Sequence, residues 1–431
     1  MKNHVGIIGY GGMSKNITIN LIKKNIFVSI YNKEKIKLKL KFFNIIIITN
    51  CLKKFLFSLP KIKLIFILIK TGLPIKIILI RLKKKLYKKD IVIDFGNSFY
   101  KNTYINNILI NKKFIFLSSG ISGGCSGALY GLCCMIDCNI KQYFLIKNIL
   151  KKILFKQKKK YSCCITIGKS SSHYIKMIHN GIEYGILQLI AEIYFIIKIF
   201  VKHKKNIINI LLNWKNSNIN CYLLKVLLNI LLKKKKKICD IVEQKGTGRN
   251  TVLNSLNNNI NINTIFEALI IRIISKNIFF RNIILFNNKY IFLINYSIFL
   301  EKIKNFFFFC KLQCYIQGFN QIIKIKKKYN WKLNFNNLIK TYLNSCIIDS
   351  NILLYLINFK KNFFLIKIFF YYLKKINSFK KIIIICLNLN LSIFFCFSTY
   401  NFSLIIINKN YNFKIIQMKR NFFGNHLIKY L

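Results

Sequence analysis

The stretch VGIIGYGGMS (residues 5–14) joins a short β-branched run to a glycine-rich turn and the start of a helical pattern. Its glycines fit the dinucleotide fingerprint GxGxxG, with serine in the third position. The first two glycines permit a tight turn and a close backbone approach to a pyrophosphate, while the third position needs only a small residue. The cofactor-binding residues predicted in this turn are Gly9, Gly11, Gly12, Met13 and Ser14.

Similar apolar runs continue through the first third of the chain. Together with residues 5–9 they cover residues 26–32, 44–49, 63–69, 90–96 and 114–120. Runs of this kind predict the buried strands of a parallel sheet, and the intervals between them leave room for crossover helices. After about residue 168 the runs stop, and long Leu, Ile and Lys segments predict helices. We therefore expect a Rossmann-like α/β domain with a doubly wound, mostly parallel sheet (1–168), followed by an all-α domain (169–431).

The end of the second predicted strand indicates which dinucleotide binds. An acidic residue that holds the ribose hydroxyls is typical of NAD enzymes at this place. Here the chain has Asn32 and Lys33, with Glu34 one residue later. A cation at this position would neutralise a 2′-phosphate, which favours NADP. The opposing interpretation is that Lys33 is one more surface lysine in a lysine-rich chain.

The charge of the chain is extreme, at +61 over 431 residues, and would ordinarily suggest a nucleic-acid or membrane partner. Only five of the 72 basic residues are arginine, however, and the lysines are spread along the whole length. Excess Lys, Ile, Asn and Phe with scarce Arg, Ala and Pro is typical of a mutational bias toward AT-rich codons. On that hypothesis the charge says little about partners, and we expect neither nucleic-acid nor membrane binding.

The remaining composition predicts a cytoplasmic protein. No secretory signal precedes the first strand, and the uncharged stretch 382–408 holds too many Asn, Ser and Thr residues for lipid exposure. A buried, interface-forming segment is the better interpretation of that stretch. The 14 cysteines form no CxxC pair and no His/Cys cluster at zinc-ligand spacing, so we expect reduced thiols and no metal site.

Rare side chains gather in KMIHNGIEYG (176–185), although the whole chain has only 5 His and 11 acidic residues. On a helix, Lys176, His179, Asn180, Glu183 and Tyr184 fall on one face. The alternative is an ordinary solvated face, which in this chain would consist mostly of Lys and Asn. A stripe with one potential base and one potential acid is what proton transfer on a bound substrate requires.

Several blocks of sequence resemble the decarboxylating 6-phosphogluconate dehydrogenase family. They are HYIKMIHNGIEYG (173–185), SSGISGG (118–124), DFGNS (94–98), QKGTGRNT (244–251) and FFGNH (422–426). Their order and spacing match the family, and the resemblance covers nearly the whole chain. It implies an NADP-dependent enzyme that converts 6-phosphogluconate to ribulose 5-phosphate and CO2.

The resemblance also implies residue roles. Lys176 matches the general base that takes the proton of the sugar 3-hydroxyl, and Glu183 matches the acid that protonates the enediol carbon. Substrate-contacting positions match Asn97, Ser122, Gly123, Gly124, His179, Asn180, Tyr184, Lys245 and Arg272. Asn97 and the turn formed by Lys70, Thr71 and Gly72 match the nicotinamide side of the cofactor site. Arg420 and His426 match a pair that enters the partner subunit's site, which implies a homodimer.

Elementary chemistry is consistent with these roles. A lysine base needs a pKa well below its usual ~10.4. We expect the cations Lys245, Arg272 and Arg420 to lower it and to suit a substrate with a carboxylate and a phosphate. A β-keto acid loses CO2 without a metal, because its carbonyl accepts the electrons.

The chain departs from the family pattern at several places. Two acids, an Arg and a Pro of the family are replaced by Cys125, Ser126, Leu129 and Leu132. The usual MPGG is Met-Ile-Asp-Cys at 135–138, an aromatic is Asn250, and the tail after His426 is short. We expect these changes to affect dimer tightness, cofactor affinity and stability more than the chemistry. Two alternatives stay open: another β-hydroxyacid dehydrogenase, and a decayed basic protein that binds RNA or membrane.

Overall fold

The first half of the chain alternates strands and helices. The computed structural model describes residues 3–34, 45–158, 160–233, 238–283, 296–357, 370–408 and 412–424. The strands of the first half are β1 (His4–Ile8), β2 (Phe27–Tyr31), β3 (Ile46–Thr49), β4 (Leu64–Ile67), β5 (Ile91–Asp94), β6 (Ile115–Ser122), β7 (Cys133–Asp137), β8 (Lys156–Gln157), β9 (Lys160–Tyr161) and β10 (Cys163–Ile167). Its helices are α1 (Gly12–Ile22), α2 (Leu52–Phe57), α3 (Leu73–Lys83), α4 (Tyr100–Ile110), α5 (Gly124–Tyr130) and α6 (Ile140–Ile153).

The six predicted strands form a parallel array in the order β3-β2-β1-β4-β5-β6. Each strand falls within its predicted apolar run, apart from the first residue of β1 and the last two residues of β6, so the doubly wound sheet is confirmed. The runs are apolar throughout because two hydrophobic clusters cover the opposite faces of the sheet, as Val5 and Ile65 illustrate. The chain reverses its direction of winding between β1 and β4, and such a switch point is where ligands bind in this fold.

The sheet is larger than the sequence predicts. β7 pairs antiparallel with β6, and β10 pairs parallel with β7. A ninth strand, β11 (Lys332–Leu333), comes from the second half of the chain and pairs antiparallel with β10. The prediction of an all-α second half is therefore wrong for these two residues. The short strands β8 and β9 pair antiparallel with each other, outside the nine-stranded sheet.

The second half is otherwise helical in the described ranges, and its helices pack around α7, which spans 30 residues or about 45 Å. The helices are α7 (Ser171–Phe200), α8 (Lys204–Lys215), α9 (Tyr222–Leu232), α10 (Thr247–Leu256), α11 (Asn263–Ile274), α12 (Ile278–Ile283), α13 (Tyr296–Lys328), α14 (Phe335–Tyr342), α15 (Ile352–Leu356), α16 (Ile376–Asn388), α17 (Phe394–Ile407) and α18 (Phe413–Gly424).

The start of α7 is fixed to the sheet by Asp137 at the end of β7. Its carboxylate accepts hydrogen bonds from the backbone N–H groups of Gly168 (3.0 Å) and Ser171 (3.3 Å). These groups lie at the N-terminal end of α7, where backbone donors lack helical partners. Burial raises the pKa of Asp137 to about 7, because the surrounding protein replaces water around its charge.

The uncharged stretch 382–408 is divided between α16 and α17. Glu192 of α7 caps the start of α17. Its buried carboxylate accepts hydrogen bonds from the backbone N–H groups of Phe395 (2.9 Å) and Cys396 (3.0 Å). The buried residues of α17 confirm the prediction of a packed segment. Across the described ranges, no helix combines the length and apolar character needed to span a membrane. All 14 cysteines are free thiols.

Candidate active site

The glycine-rich turn after β1 has the shape of a phosphate cradle. Gly9 adopts φ +97°, and a Cβ there would lie 2.5 Å from the carbonyl oxygen of Leu68. Gly11 precedes α1, and a Cβ on it would meet no atom within 4 Å, so open space lies in front of the helix N-terminus. No side chain caps that terminus, which leaves its N–H groups available to an anion. Ser14 is buried and its hydroxyl donates to the Gly11 carbonyl (2.9 Å), which closes the turn.

The other predicted cofactor residues lie at the carboxyl ends of neighbouring strands. Asn32 follows β2 and donates its backbone N–H to the carbonyl of Thr49 (3.2 Å), and Lys33 beside it is exposed. Gly72 has φ +90° and precedes α3 with open space at its Cβ position. Gly12, Met13, Lys70 and Thr71 occupy the same two turns. The open space at both turns and the uncapped start of α1 fit a dinucleotide.

The DFGNS segment after β5 forms a turn around Asp94. The buried Asp94 carboxylate accepts the Gly96 N–H (2.8 Å) and the Ser98 hydroxyl (2.7 Å). Asn97 is exposed and lines a small pocket together with Lys176 and other residues of α7. His173 contacts the Thr103 hydroxyl through Nδ1 (2.7 Å) and the Asp94 carbonyl through Nε2 (3.1 Å). His173 therefore has a structural role, since both ring nitrogens connect the start of α7 to α4 and to the end of β5.

Lys176 lies on the sheet-facing side of α7 and is only 6% exposed. Gly120 in β6 makes room for it, because a Cβ on Gly120 would lie 2.4 Å from the Lys176 Cβ. Burial lowers the pKa of Lys176, and Glu183, Cys346 and Cys133 oppose that shift. We predicted a lowered pKa from neighbouring cations; the direction is confirmed, but burial is the cause.

A hydrogen-bonded cluster surrounds His179, which is completely buried. Its Nδ1 lies 3.2 Å from the Lys176 amine and 3.1 Å from the Asn180 side-chain oxygen. Its Nε2 lies 2.9 Å from the Ser122 hydroxyl and 2.8 Å from the Cys346 thiol. Ring nitrogens with partners on both sides hold the imidazole in one orientation.

Glu183 lies one turn beyond His179, with its carboxylate 3.9 Å from His179 Nδ1 and its side chain 21% exposed. The Lys176, His179, Asn180 and Glu183 side chains therefore line one side of α7, as their spacing predicts. The alternative of an ordinary solvated face is wrong, because α7 is buried against the sheet and its helical neighbours.

Tyr184 and Arg272 form the far end of this face. The Arg272 guanidinium lies 3.8 Å above the Tyr184 ring and donates to the Glu243 carbonyl (3.0 Å). Gly248 permits this arrangement, since a Cβ there would lie 2.6 Å from the Tyr184 ring. Burial lowers the pKa of Arg272, while Tyr184 and Glu183 oppose the change. Lys245 is exposed just before α10.

The remaining predicted site residues lie in two separate parts of the chain, at the start of α5 and near the C-terminal end. Gly123 (φ +117°) and Gly124 (φ +61°) start α5 beside Ser122, and a Cβ on Gly123 would lie 3.1 Å from the Ser345 carbonyl oxygen. Arg420 is exposed on α18 and hydrogen-bonds to Gln417 of the same helix (3.4 Å). His426 lies outside the described residues. Within the described ranges, no group of three or more His, Cys, Asp or Glu side chains could hold a metal ion.

Three residues of the site are not among the residues predicted from the sequence: Gly120, Cys133 and Cys346. Cys346 is 167 residues from His179, and no motif in its neighbourhood marks it. Burial raises the pKa of the Cys133 thiol. Burial opposes ionisation of Cys346, but a hydrogen bond with Cys133 and positive charge on His179 or Lys176 lower its pKa.

The fold and the site define a dinucleotide-dependent dehydrogenase with a helical domain beside the cofactor domain. Two family profiles match the chain: the NAD binding domain of 6-phosphogluconate dehydrogenase over residues 4–168, and the 6-phosphogluconate dehydrogenase C-terminal domain over residues 172–431. The chain belongs to the 6-phosphogluconate dehydrogenase family.

Similar proteins support this assignment. The chain is 33% identical over 383 residues to 6-phosphogluconate dehydrogenase, decarboxylating, of Buchnera aphidicola subsp. Schizaphis graminum, which covers 82% of this chain and 79% of that protein. It is 30% identical over 374 residues to the Escherichia coli protein of the same name, with the same coverage. The fold is similar to Plasmodium falciparum 6-phosphogluconate dehydrogenase, with a TM-score of 0.88, 27% identity and coverage of 99% and 98% of the two chains. That protein was solved in its apo form and in complexes with NADP+ and with 6-phosphogluconate.

Proposed function

We propose that the protein catalyses the oxidative decarboxylation of 6-phosphogluconate to ribulose 5-phosphate and CO2, with reduction of NADP to NADPH. The observation that carries the proposal is the buried amine of Lys176, held against Gly120 and His179 on the face of α7. Its lowered pKa suits a base. Full-length similarity to an enzyme solved with this cofactor and this substrate supports the same conclusion.

The cofactor is held, in this proposal, by the turns at Gly9–Ser14 and Lys70–Gly72. The N-terminus of α1 receives the pyrophosphate, and Asn32 and Lys33 face the 2′-phosphate of the adenosine ribose. Asn97 lies toward the nicotinamide. When bound, NADP accepts the hydride that leaves carbon 3 of the substrate.

Lys176 acts as the general base in the oxidation step. Its unprotonated amine takes the proton of the substrate 3-hydroxyl as that carbon is oxidised to a ketone. The resulting ammonium then hydrogen-bonds to the ketone oxygen and returns its proton to that oxygen as it accepts the electrons of the breaking carbon–carboxylate bond. CO2 leaves and an enediol remains. Glu183 delivers a proton to the enediol carbon while the unprotonated Lys176 takes the proton of the enediol hydroxyl, which gives the ketose product.

Substrate recognition combines polar side chains with cations. Ser122, His179 and Asn180 present hydroxyl, imidazole and amide groups beside Lys176. The backbone at Gly123 and Gly124 approaches the sugar closely, because no side chains intervene. Lys245, Arg272 and Tyr184 contact the phosphate end, where the planar guanidinium can make paired hydrogen bonds.

The partner is a second copy of the chain. α18 has no buried residue, and it exposes Phe413, Ile416, Phe422 and Phe423. An amphipathic helix of this kind gains stability by covering a neighbouring subunit. Arg420 and His426 would then complete the phosphate site of that neighbour. We further place the domain boundary between residues 168 and 169, and the enzyme in the cytoplasm.

The test is an assay of the purified protein with 6-phosphogluconate and NADP, following NADPH and CO2. We expect equal amounts of both products, loss of activity in Lys176→Met and Glu183→Ala, and a dimer in sedimentation. Arg249→Met, which removes an exposed cation near the site, is the matched control and should keep activity. A folded dimer without activity would refute the proposal, and salt-sensitive RNA binding would favour the basic-protein alternative.

A further inference from the structure

The hydrogen-bond partners of Ser122 determine which way its hydroxyl points. Ser122 Oγ receives the backbone N–H of Ile347 (3.2 Å) and the thiol of Cys346 (3.2 Å). A serine hydroxyl has two acceptor lone pairs and one hydrogen. With both lone pairs occupied, the hydroxyl can only donate, and its remaining neighbour is His179 Nε2 at 2.9 Å. The Cys346 thiol also lies 2.8 Å from Nε2, so its hydrogen is shared between Ser122 Oγ and Nε2, and Nε2 accepts from both neighbours.

Cys133 and Cys346 extend this series of hydrogen bonds away from His179. Cys133 lies opposite Ser122 in the antiparallel β6–β7 pair, so both side chains are on the same face of the sheet. The interaction between the two thiols raises the pKa of Cys133 and lowers that of Cys346, which is the pattern of a Cys133 thiol that donates to Cys346. If Cys133 donates to the Cys346 sulfur, the Cys346 hydrogen stays available to Ser122 Oγ and His179 Nε2. The series of hydrogen bonds then leads from Cys133 through Cys346 and Ser122 to His179.

The hydrogen bond at Nε2 decides which ring nitrogen of His179 carries the proton, and this affects Lys176. When Nε2 accepts a hydrogen bond, the proton of a neutral imidazole is on Nδ1. There it faces the Asn180 oxygen (3.1 Å) and the Lys176 amine (3.2 Å). An N–H beside this amine stabilises the free amine, whose lone pair can accept it, and disfavours the ammonium. The titratable groups that face Lys176 are His179 and Glu183 on α7, Cys133 on β7 and Cys346 after α14.

We propose that Cys346 is a positioning residue, which directs the Ser122 hydroxyl to His179 Nε2 and thereby places the imidazole proton beside Lys176. Cys346 touches neither reacting atom and acts through Ser122 and His179. The inference rests on the proposed role of Lys176 as base. Only the neutral thiol has the hydrogen that this role requires, and burial favours that form. The hydrogen bond with Cys133 and the positive charge of His179 or Lys176 lower the pKa of Cys346, so an imidazolium–thiolate pair is the competing state.

The test pairs a spectroscopic measurement with kinetics. In protein labelled with 15N in the histidine rings, the His179 signals are assigned by comparison with His179→Asn. We expect Nδ1 protonated in the wild type and in Cys346→Ser, and proton density shifted to Nε2 in Cys346→Ala. In Cys346→Ala the acidic limb of the kcat/KM profile should move up by about 0.7 pH unit, because one neutral hydrogen bond is lost. Cys346→Ser should restore the wild-type profile.

The control is Cys386→Ala, which removes another fully buried thiol from α16, away from this chain of hydrogen bonds. It should leave both the tautomer and the pH profile unchanged. An unaltered tautomer in Cys346→Ala would overturn the proposal, and so would two protonated ring nitrogens in the wild type, which indicate an imidazolium–thiolate pair. The NMR experiment needs no turnover, so an inactive wild type would refute the proposed function and leave this inference testable.

Discussion

Replacement of Gly120 by alanine tests whether the position of Lys176 depends on a missing side chain. The new Cβ would lie 2.4 Å from the Lys176 Cβ and 3.0 Å from the Met135 Cε. Restoring an ordinary contact of about 3.4 Å requires a movement of about 1 Å between β6 and α7. The atom in the way belongs to the fixed base of the lysine, so rotation of its flexible end cannot relieve the overlap.

A displacement of about 1 Å at a catalytic group costs roughly 100-fold in rate, or about 2.7 kcal/mol of transition-state stabilisation. We therefore expect Gly120→Ala to lower kcat/KM for 6-phosphogluconate by about 100-fold, with about 1–3 kcal/mol lost from the free energy of unfolding. NADP affinity, measured by titration, should change little because the glycine-rich turn is elsewhere. Gly127→Ala is the matched control, since its Cβ would meet only ordinary contacts at 3.7 and 3.8 Å. Wild-type kinetics in a folded Gly120→Ala protein would refute the reasoning.

Three further changes have definite expected outcomes. Asp137 binds its proton more tightly in the folded protein, with a pKa raised to about 7, so its contribution to stability falls from about pH 4 to about pH 7. Asp137→Asn should lose this part of the pH dependence of the thermal midpoint; parallel curves for both proteins would contradict it. Arg272→Lys loses the planar contact at 3.8 Å to Tyr184 and should raise KM for 6-phosphogluconate about tenfold with little change in kcat. An unchanged KM would exclude Arg272 from the phosphate site. Glu192→Ala leaves the backbone donors of Phe395 and Cys396 unpaired and should cost about 2–3 kcal/mol in urea unfolding. Glu192→Gln, which keeps one acceptor, should cost less, and equal losses would argue against the capping role.

The sequence predicts the first six strands because all of them are mostly apolar, and all but the edge strand β3 are largely buried on both faces. Val5 and Ile7 in β1, like Ile91 and Val92 in β5, are completely buried. Most of the other strands carry no comparable signal; the exception is β10, whose Cys-Cys-Ile-Thr-Ile sequence has three β-branched residues. β7 reads Cys-Cys-Met-Ile-Asp with one β-branched residue, and β8, β9 and β11 have only two residues each. A two-residue strand has no periodicity, and its pairing depends on tertiary structure.

The catalytic face was predictable to the extent that it is local. Lys176, His179 and Asn180 are neighbours because they are three and four residues apart on one helix. The source of the lowered lysine pKa was not predictable, since burial of α7 depends on the sheet and on helices distant in sequence. Cys346 reaches His179 across 167 residues, so only the folded chain reveals the contact.

β11 makes the two halves of the chain interdependent. Lys332 and Leu333 cover the outer edge of β10, through the pairs Thr166–Leu333 and Ile167–Lys332. A fragment that ends at residue 168 would leave the backbone groups of that edge open to pairing with other molecules. We expect such a fragment to aggregate, although it contains a complete set of dinucleotide-binding turns. A protease nick near residue 169 should likewise leave the two pieces associated, because β11 keeps the second piece hydrogen-bonded to the first.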